Sequence, residues 1–429
     1  MPIWTNWAGN VTARPAFRRD IATEDELADL LAGHDGPVRV VGSGHSFSPL
    51  MAMDGGTMVT LTGMTGVAAE PGRGLAARIG AGIRLRDLTP RLHALGQALA
   101  NMGDIDEQRV GGALATGTHG TGPAFGTYSA MLREIVVLDG RGHRHVLTRD
   151  RDETAFRAMA VSLGTGGIVT EAVIETVVPY RLAKRRFMLH LDDMLDGFAE
   201  RMRAERNVEF YYITHARRAV GMESRETDGP LVDRGPDRDQ QGLDQLRLLA
   251  RVLGRVPALR RAVLSLAIRS HLDEHFTEDW LHAFPSDRNL HRFNETEYHI
   301  PAETAPAVLR AVIDTVERGF PEVYFPMEIR TVAADDLFLS PFCGRDSVSV
   351  AIHHEAGQPF GPLLAAVEPI FARVGGRPHW GKRHSLTAHE LRPLYPHWDE
   401  AIAVRRALDP AGRMLTPYLR QLLGLGEAA

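Results

Sequence analysis

The spacing of apolar residues changes character near residue 180. Before that point short β-branched runs alternate with glycine turns. Val38-Arg39-Val40-Val41 predicts a brief buried strand. Residues 135–138 and 145–147, joined by Asp139-Gly140-Arg141-Gly142, predict a hairpin, and residues 168–177, rich in Val, Ile and Thr, predict a further strand. Thr23-Glu24-Asp25-Glu26 reads as a capping box opening a helix that Gly33 closes. Leu85, Leu88, Leu92 and Leu95 form a helical stripe. After residue 180 the strands are longer and more aromatic, as at 208–213, 324–332 and 347–354, and helices such as 304–318 separate them. That pattern predicts an α+β unit with its own core.

Between these, residues 223–242 are charged, carry Pro230 and Pro236 and show no periodicity, which predicts an exposed excursion. Residues 243–270 alternate leucines with Arg247, Arg251, Arg255, Arg260, Arg261 and Arg269. A basic amphipathic helix suits a membrane surface. The plainer expectation, preferred here, is a helix pair bent at Pro257 with its arginines in solvent.

The strand at Val38 empties into Gly42-Ser43-Gly44-His45-Ser46. Glycines there let the backbone approach an anionic ligand. A Rossmann fingerprint is excluded, because Phe47 stands at the third glycine and Pro49 with Asp54-Gly55-Gly56 interrupts the following helix. Gly111-Gly112-Ala113-Leu114-Ala115-Thr116-Gly117-Thr118-His119-Gly120-Thr121-Gly122 is a second such loop, and Gly164-Thr165-Gly166-Gly167-Ile168-Val169 a third. Three loops open to close backbone approach imply an extended dinucleotide lying across them.

With these residues in view, the chain resembles the FAD-linked oxidases of the vanillyl-alcohol oxidase type, in their aldonolactone and alditol oxidase branch. Asn101-Met102-Gly103-Asp104-Ile105-Asp106-Glu107-Gln108, Glu328-Ile329-Arg330, Arg377-Pro378-His379-Trp380-Gly381-Lys382 and Asp409-Pro410 with Pro417-Tyr418-Leu419 carry the resemblance further. It implies an α+β protein with a two-part FAD-binding domain, residues 1–178 plus a return at 405–429, and an α+β substrate or cap domain, residues 179–404. It implies FAD bonded covalently through His45. The cofactor set it implies is Val41, Gly42, Ser43, Gly44, His45, Ser46, Gly103, Asp104, Gly111, Gly112, Ala115, Thr116, Gly117, His119, Gly120, Gly167, Ile168, Val169, His379 and Lys382. Gly103 and Asp104 would pass the reactive edge of the isoalloxazine, and the loop from Gly111 would hold the pyrophosphate. A glycine at 103 would leave that edge open to oxygen, giving hydrogen peroxide; a positive φ would explain it equally.

The catalytic set reads as Glu328, Arg330, Lys382 and His353. Glu328 and Arg330 are two apart in a strand and so share a face. Next to a flavin, the guanidinium would stabilise the charge left by reduction, with Glu328 orienting it. The base is either Lys382 with a lowered pKa or His353, with His354 on the opposite face; the reverse assignment of the two histidines stays open. Glu297 matches a family motif but has a structural reading as well. Asp104 and the position of His353 favour an aldono-1,4-lactone, whereas Arg330-Thr331-Val332-Ala333-Ala334-Asp335-Asp336 favours an alditol; the lactone is preferred. The expected electron acceptor is oxygen, or else another acceptor. A sugar-binding protein without turnover would show a gap among the charged residues, and none is present.

Composition narrows the rest. The 429 residues suit two or three domains, and 44% hydrophobic content is ample for cores. A net charge of −5 leaves no footprint for nucleic acid. A lone Cys343, no signal-like N-terminus and no apolar stretch of about 18 residues lead to the expectation of a cytoplasmic enzyme with no membrane contact. No metal is expected. Steps of five residues put His379, His384 and His389 about 140° apart on a helix. The spacing Gly376 to Lys382 mimics a phosphate loop, but Arg383 replaces its Ser or Thr.

Overall fold

The computed structural model describes residues 3–33, 35–72, 74–235, 239–254, 256–267, 272–285 and 291–426. In the first half, Phe17–Asp20, Thr57–Thr60 and Val38–Val40 form a parallel three-stranded sheet. Its strands are covered by Leu27 and Leu31 of the helix Glu24–Ala32, with Met414 from the far end of the chain in the same cluster. Thr23 caps that helix through the Glu26 N–H, while the Glu26 carboxylate accepts from the N–H of Ala22. A second, antiparallel sheet runs Val67–Ala69, Ala76–Gly80, Ile168–Glu175, Leu132–Leu138, Arg144–Thr148, which contains the expected hairpin. The stripe predicted at 85–95 is the helix Leu85–Ala94; Leu85, Leu88 and Leu92 are buried, but Leu95 lies past its end and is exposed.

From residue 181 onward the chain builds one eight-stranded antiparallel sheet. Its order is Asp273–Asp279, Arg181–His190, Arg218–Glu226, Asn207–Ile213, Met327–Val332, Ser347–Glu355, Phe293–Pro301 and Arg377–Pro378. One face carries Phe210, Tyr212, Met327, Ile329, Val348, Val350, Ile352, Tyr298 and Ile300 and packs on the helices Leu191–Ala204, Ala305–Gly319 and Gly361–Ala372. The opposite face is polar. Because side chains alternate along a strand, the residues between these apolar ones all point to the other side, and here they are mostly polar. Leu391, Tyr395, Trp398 and Ala401 already share the core of the first half, ahead of the return expected at 405.

Two sequence expectations are corrected. Glu223 and Ser224 are buried in the strand Arg218–Glu226, where Glu223 pairs with Arg201, and the helix Asp239–Leu253 takes in residues 240–242. The irregular segment is therefore shorter than residues 223–242, and Pro236 lies outside the described residues. The helix pair Asp239–Leu253 and Pro257–Ala267 is present, yet its arginines are not all in solvent. Arg260 is fully buried against the carbonyls of Pro321 and Val323, and Arg247 pairs with Glu355. Arg255 and Arg269 lie outside the described residues. Among the described residues no helix is long and apolar enough to cross a membrane.

Candidate active site and cofactor cleft

The three glycine loops line a single cleft. Val41, Gly42, Ser43, Gly44, His45 and Ser46 meet Gly111, Gly112, Ala115 and Thr116 there, with Gly167, Ile168 and Val169, and His379 and Lys382 join them from the second half. Local bonds fix the loop at His45. Gly44 has φ +70°, Ser43 Oγ donates to the Glu107 carbonyl at 2.5 Å, and the Phe47 N–H donates to the Gly381 carbonyl at 2.7 Å. The His45 ring stacks on Trp7 at 5.6 Å. Trp380, which sets the turn to Lys382, is fully buried, stacks on Tyr395 at 4.9 Å and donates to the Leu339 carbonyl at 2.6 Å.

The cleft fits a dinucleotide. A Cβ added at Gly112 would meet nothing within 4 Å, so the backbone is open to a ligand there. Arg39 and Arg109 also line the cleft, and their guanidiniums donate to backbone carbonyls: Arg39 to Leu163, Gly164 and Met414, and Arg109 to Gly82. Positive charge so arranged suits a pyrophosphate. Leu163 holds φ +54°, an unfavourable state for a branched side chain, and is secured by its N–H to Ala115 and its carbonyl to Arg39. Sequence reasoning missed Arg39, whose place inside an apolar run carries no signal of what it faces, and Arg109, which stands between Gln108 and the second glycine loop.

Five members of the expected cofactor set lie off this cleft: Gly103, Asp104, Gly117, His119 and Gly120. Gly120 is demanded by packing, because a Cβ there would sit 2.1 Å from the Met102 carbonyl oxygen. A Cβ on Gly103 would lie 2.9 Å from the His119 carbonyl oxygen; its φ is not positive, so the turn explanation fails and close approach replaces it. His119 points into a buried cluster, its Nδ1–H donating to the Gly120 carbonyl (2.8 Å) and its Nε2 3.1 Å from Glu297 Oε1, with the His299 and Phe342 rings against it. His119, Glu297 and His299 bring one ligand atom each within 4.8 Å of one another, a grouping different from the histidines at 379, 384 and 389. Both nitrogens of buried His299 lack a hydrogen-bond partner.

The polar face of the large sheet assembles the charged residues by register. Glu209 pairs across from Arg330, Tyr211 from Glu328, Arg330 from Ser349, Ser349 from His299, Ala351 from Glu297 and His353 from Glu295. Glu328 and Arg330 do share a face and form an ion pair. The strand begins at Met327, later than the expected residue 324. Arg330 also meets Asp104 at 2.8 Å and Glu209 at 3.3 Å, and Tyr211 donates to Glu328 at 2.8 Å. Burial and the excess of carboxylates push the Glu328 carboxyl up to about 8, against the pull of Arg330. Burial opposes the Arg330 charge, yet the surrounding carboxylates hold it well above its ordinary range.

His353 and His354 face opposite ways. His353 lies between Phe293 and Phe325, its Nδ1 3.2 Å from the Pro326 carbonyl, while His354 is 3.8 Å from Glu322. Burial lowers the His353 pKa, only partly offset by Glu295. Lys382 bonds Glu295 and lies 3.8 Å from Glu297; burial works against its charge, but those two carboxylates raise its pKa overall. A lowered Lys382 pKa is therefore corrected. Glu209 and Glu295 were missed, although the polar alternation Glu295, Glu297, His299 was there to read.

Residues 16–148 match the FAD binding domain family, and residues 172–422 match the D-arabinono-1,4-lactone oxidase family. Over 438 residues, 99% of each chain, the sequence is 35% identical to L-gulono-1,4-lactone dehydrogenase of Mycobacterium tuberculosis. It is 29% identical over 441 residues, 98% of each chain, to alditol oxidase of a Streptomyces species. A solvent-stable cholesterol oxidase shares the fold, with a TM-score of 0.80 at 17% identity over 99% of this chain and 97% of that one. These matches bear out an α+β flavoenzyme of the vanillyl-alcohol oxidase type with a cap. The chain belongs to the D-arabinono-1,4-lactone oxidase family, as an FAD-dependent oxidoreductase.

Proposed function

We propose that the protein oxidises a carbinol carbon of an aldono-1,4-lactone of the gulono, galactono or arabinono type. FAD would lie across the glycine-loop cleft, bonded covalently to His45. The observation that carries this reading is the single cleft running from the three loops to His45 and Lys382, beside a sheet face bearing Arg330 and His353. When bound, FAD supplies the two-electron acceptor for the hydride, and its electrons pass to oxygen, giving hydrogen peroxide, or to another acceptor.

The chain's own groups divide the remaining work. Nδ1 of His353 faces a carbonyl oxygen and so carries its proton there, leaving Nε2 as the acceptor for the substrate hydroxyl proton. Its lowered pKa keeps the imidazole neutral near pH 7. Lys382, held as an ammonium, is a poor base; it serves instead to stabilise an oxygen on which negative charge grows. Of the two candidate bases, His353 is thus favoured. Arg330 stabilises anionic charge from the substrate side, and Glu328 and Glu209 hold it in place. We assign residues 1–178 with the C-terminal return to the cofactor and the segment between to the substrate. The lone Cys343, which allows no intramolecular disulfide, supports a cytoplasmic setting.

The alditol reading is favoured by the 29% identity to alditol oxidase. Product analysis separates the two. Incubation with lactones and polyols, with oxygen or with an artificial acceptor, should convert a lactone to its keto-lactone. Turnover of polyols alone would reverse the assignment, and peroxide yield reads the acceptor.

A further inference from the structure

One buried carboxylate on the polar face has no place in the expected catalytic set. Glu295 is 3% exposed. One of its oxygens takes the ammonium of Lys382, and the other lies 3.6 Å from His353 Nε2. Glu295 and His353 are direct cross-strand partners, so the pleat points both at the same side. Lys382 arrives from the turn after Arg377–Pro378, and the N–H of Arg383 donates to the Glu295 carbonyl at 2.9 Å, which fixes that turn over the carboxylate. Beyond Lys382 comes Glu297, bonded to His119 and Ser349. Charges of opposite sign thus alternate from Glu295 through Lys382 to Glu297.

We propose that Glu295 is a positioning residue for the reaction: its carboxylate holds Lys382 as an ammonium at the cleft and stabilises the imidazolium that His353 becomes when Nε2 takes the substrate proton, so that one buried anion serves both the stabilising cation and the base. The proposal rests on His353 as base and Lys382 as cation. A buried anion with two such partners also contributes to folding, so loss of stability alone does not test it.

The pH dependence does. The charged groups facing His353 are Glu295, Lys382 and Glu297; those facing Lys382 are Glu295, Glu297 and Glu328, together with the titratable rings of His353 and His379. Neutralising Glu295 removes an anion from both. Each cation then loses its proton more readily, so both pKa values fall, by about one unit or more for a carboxylate this close. The experiment is the pH profile of anaerobic flavin reduction by a lactone in the FAD-loaded enzyme, wild type against Glu295→Gln and Glu295→Asp. In Glu295→Gln the acid limb, set by His353, and the alkaline limb, set by Lys382, should both move to lower pH, with the maximal rate down tenfold or more. Glu295→Asp, which keeps the charge at a longer reach, should leave both limbs between the Glu295→Gln and wild-type positions. Limbs that stay in place in Glu295→Gln, or move to higher pH, overturn the proposal whatever the amplitude. If Glu295→Gln does not fold, Glu295→Asp carries the test: its longer reach to both partners should move both limbs partway to lower pH, and unmoved limbs overturn the proposal. A wild-type enzyme that no lactone reduces defeats the lactone reading instead.

Discussion

Arg330 gathers Asp104, Glu209 and Glu328 around one guanidinium, and that charge count governs its neighbours. One positive charge cannot balance three negative ones in a buried site, so a carboxyl there retains its proton. Glu328 is raised to about 8, whereas an unfolded glutamate titrates near 4.5. Between those values the folded chain binds more protons than the unfolded chain, so this group's contribution to stability falls as pH rises through the window. Glu328→Gln should therefore flatten the decline of Tm between about pH 5 and 8 relative to wild type; parallel Tm curves would contradict the assignment. Arg330→Ala should slow anaerobic flavin reduction by on the order of 10²-fold, the usual scale for one electrostatic stabiliser, as read by stopped flow. The shared face of Glu328 and Arg330 was legible from a two-residue spacing. The contacts of Arg330 with Glu209 and Asp104 were not, because strand pairing and a loop contact across the molecule bring them about, and neither contact leaves a local trace in the sequence.

The glycine loops show what an element discloses and what it hides. Their composition announced a ligand-facing backbone, yet glycines within one loop serve opposite ends. Gly112 sits in the short helix Val110–Ala115 with open space on the cleft side, whereas Gly120 is pressed against the Met102 carbonyl. Gly112→Ala should fold normally, helped by up to about 1 kcal/mol of helix propensity, but retain less FAD. Gly120→Ala should lower stability by about 1–3 kcal/mol or more through a backbone clash. Thermal unfolding and the flavin-to-protein absorbance ratio distinguish the two, and equal behaviour would refute the division. The large sheet was legible as strands, but its order was not, since pairing of distant segments is fixed by the whole core. The arginines of the two helices at 239–267 read as solvent-facing; Arg260 is instead capped by carbonyls of a loop some sixty residues away.

At the scale of the whole molecule, the two halves meet where the chemistry is proposed. Asp104 reaches Arg330, the Gly122 N–H donates to the Thr331 carbonyl at 2.8 Å, and the loop at His45 is tied to the turn before Lys382. A cofactor across the cleft would therefore be held from both sides. If His45 bears it covalently, acid-precipitated protein should remain yellow, and His45→Ala should release its flavin to the supernatant; release from the wild type would refute the bond. The central claim, FAD-dependent oxidation of a lactone, is met most directly by mixing the flavoprotein with gulono- or arabinono-1,4-lactone in the absence of oxygen. The account predicts that the visible flavin absorbance bleaches with a rate that saturates in lactone and outpaces any polyol. An absorbance left unchanged by the lactones, or bleached only by polyols, would contradict it.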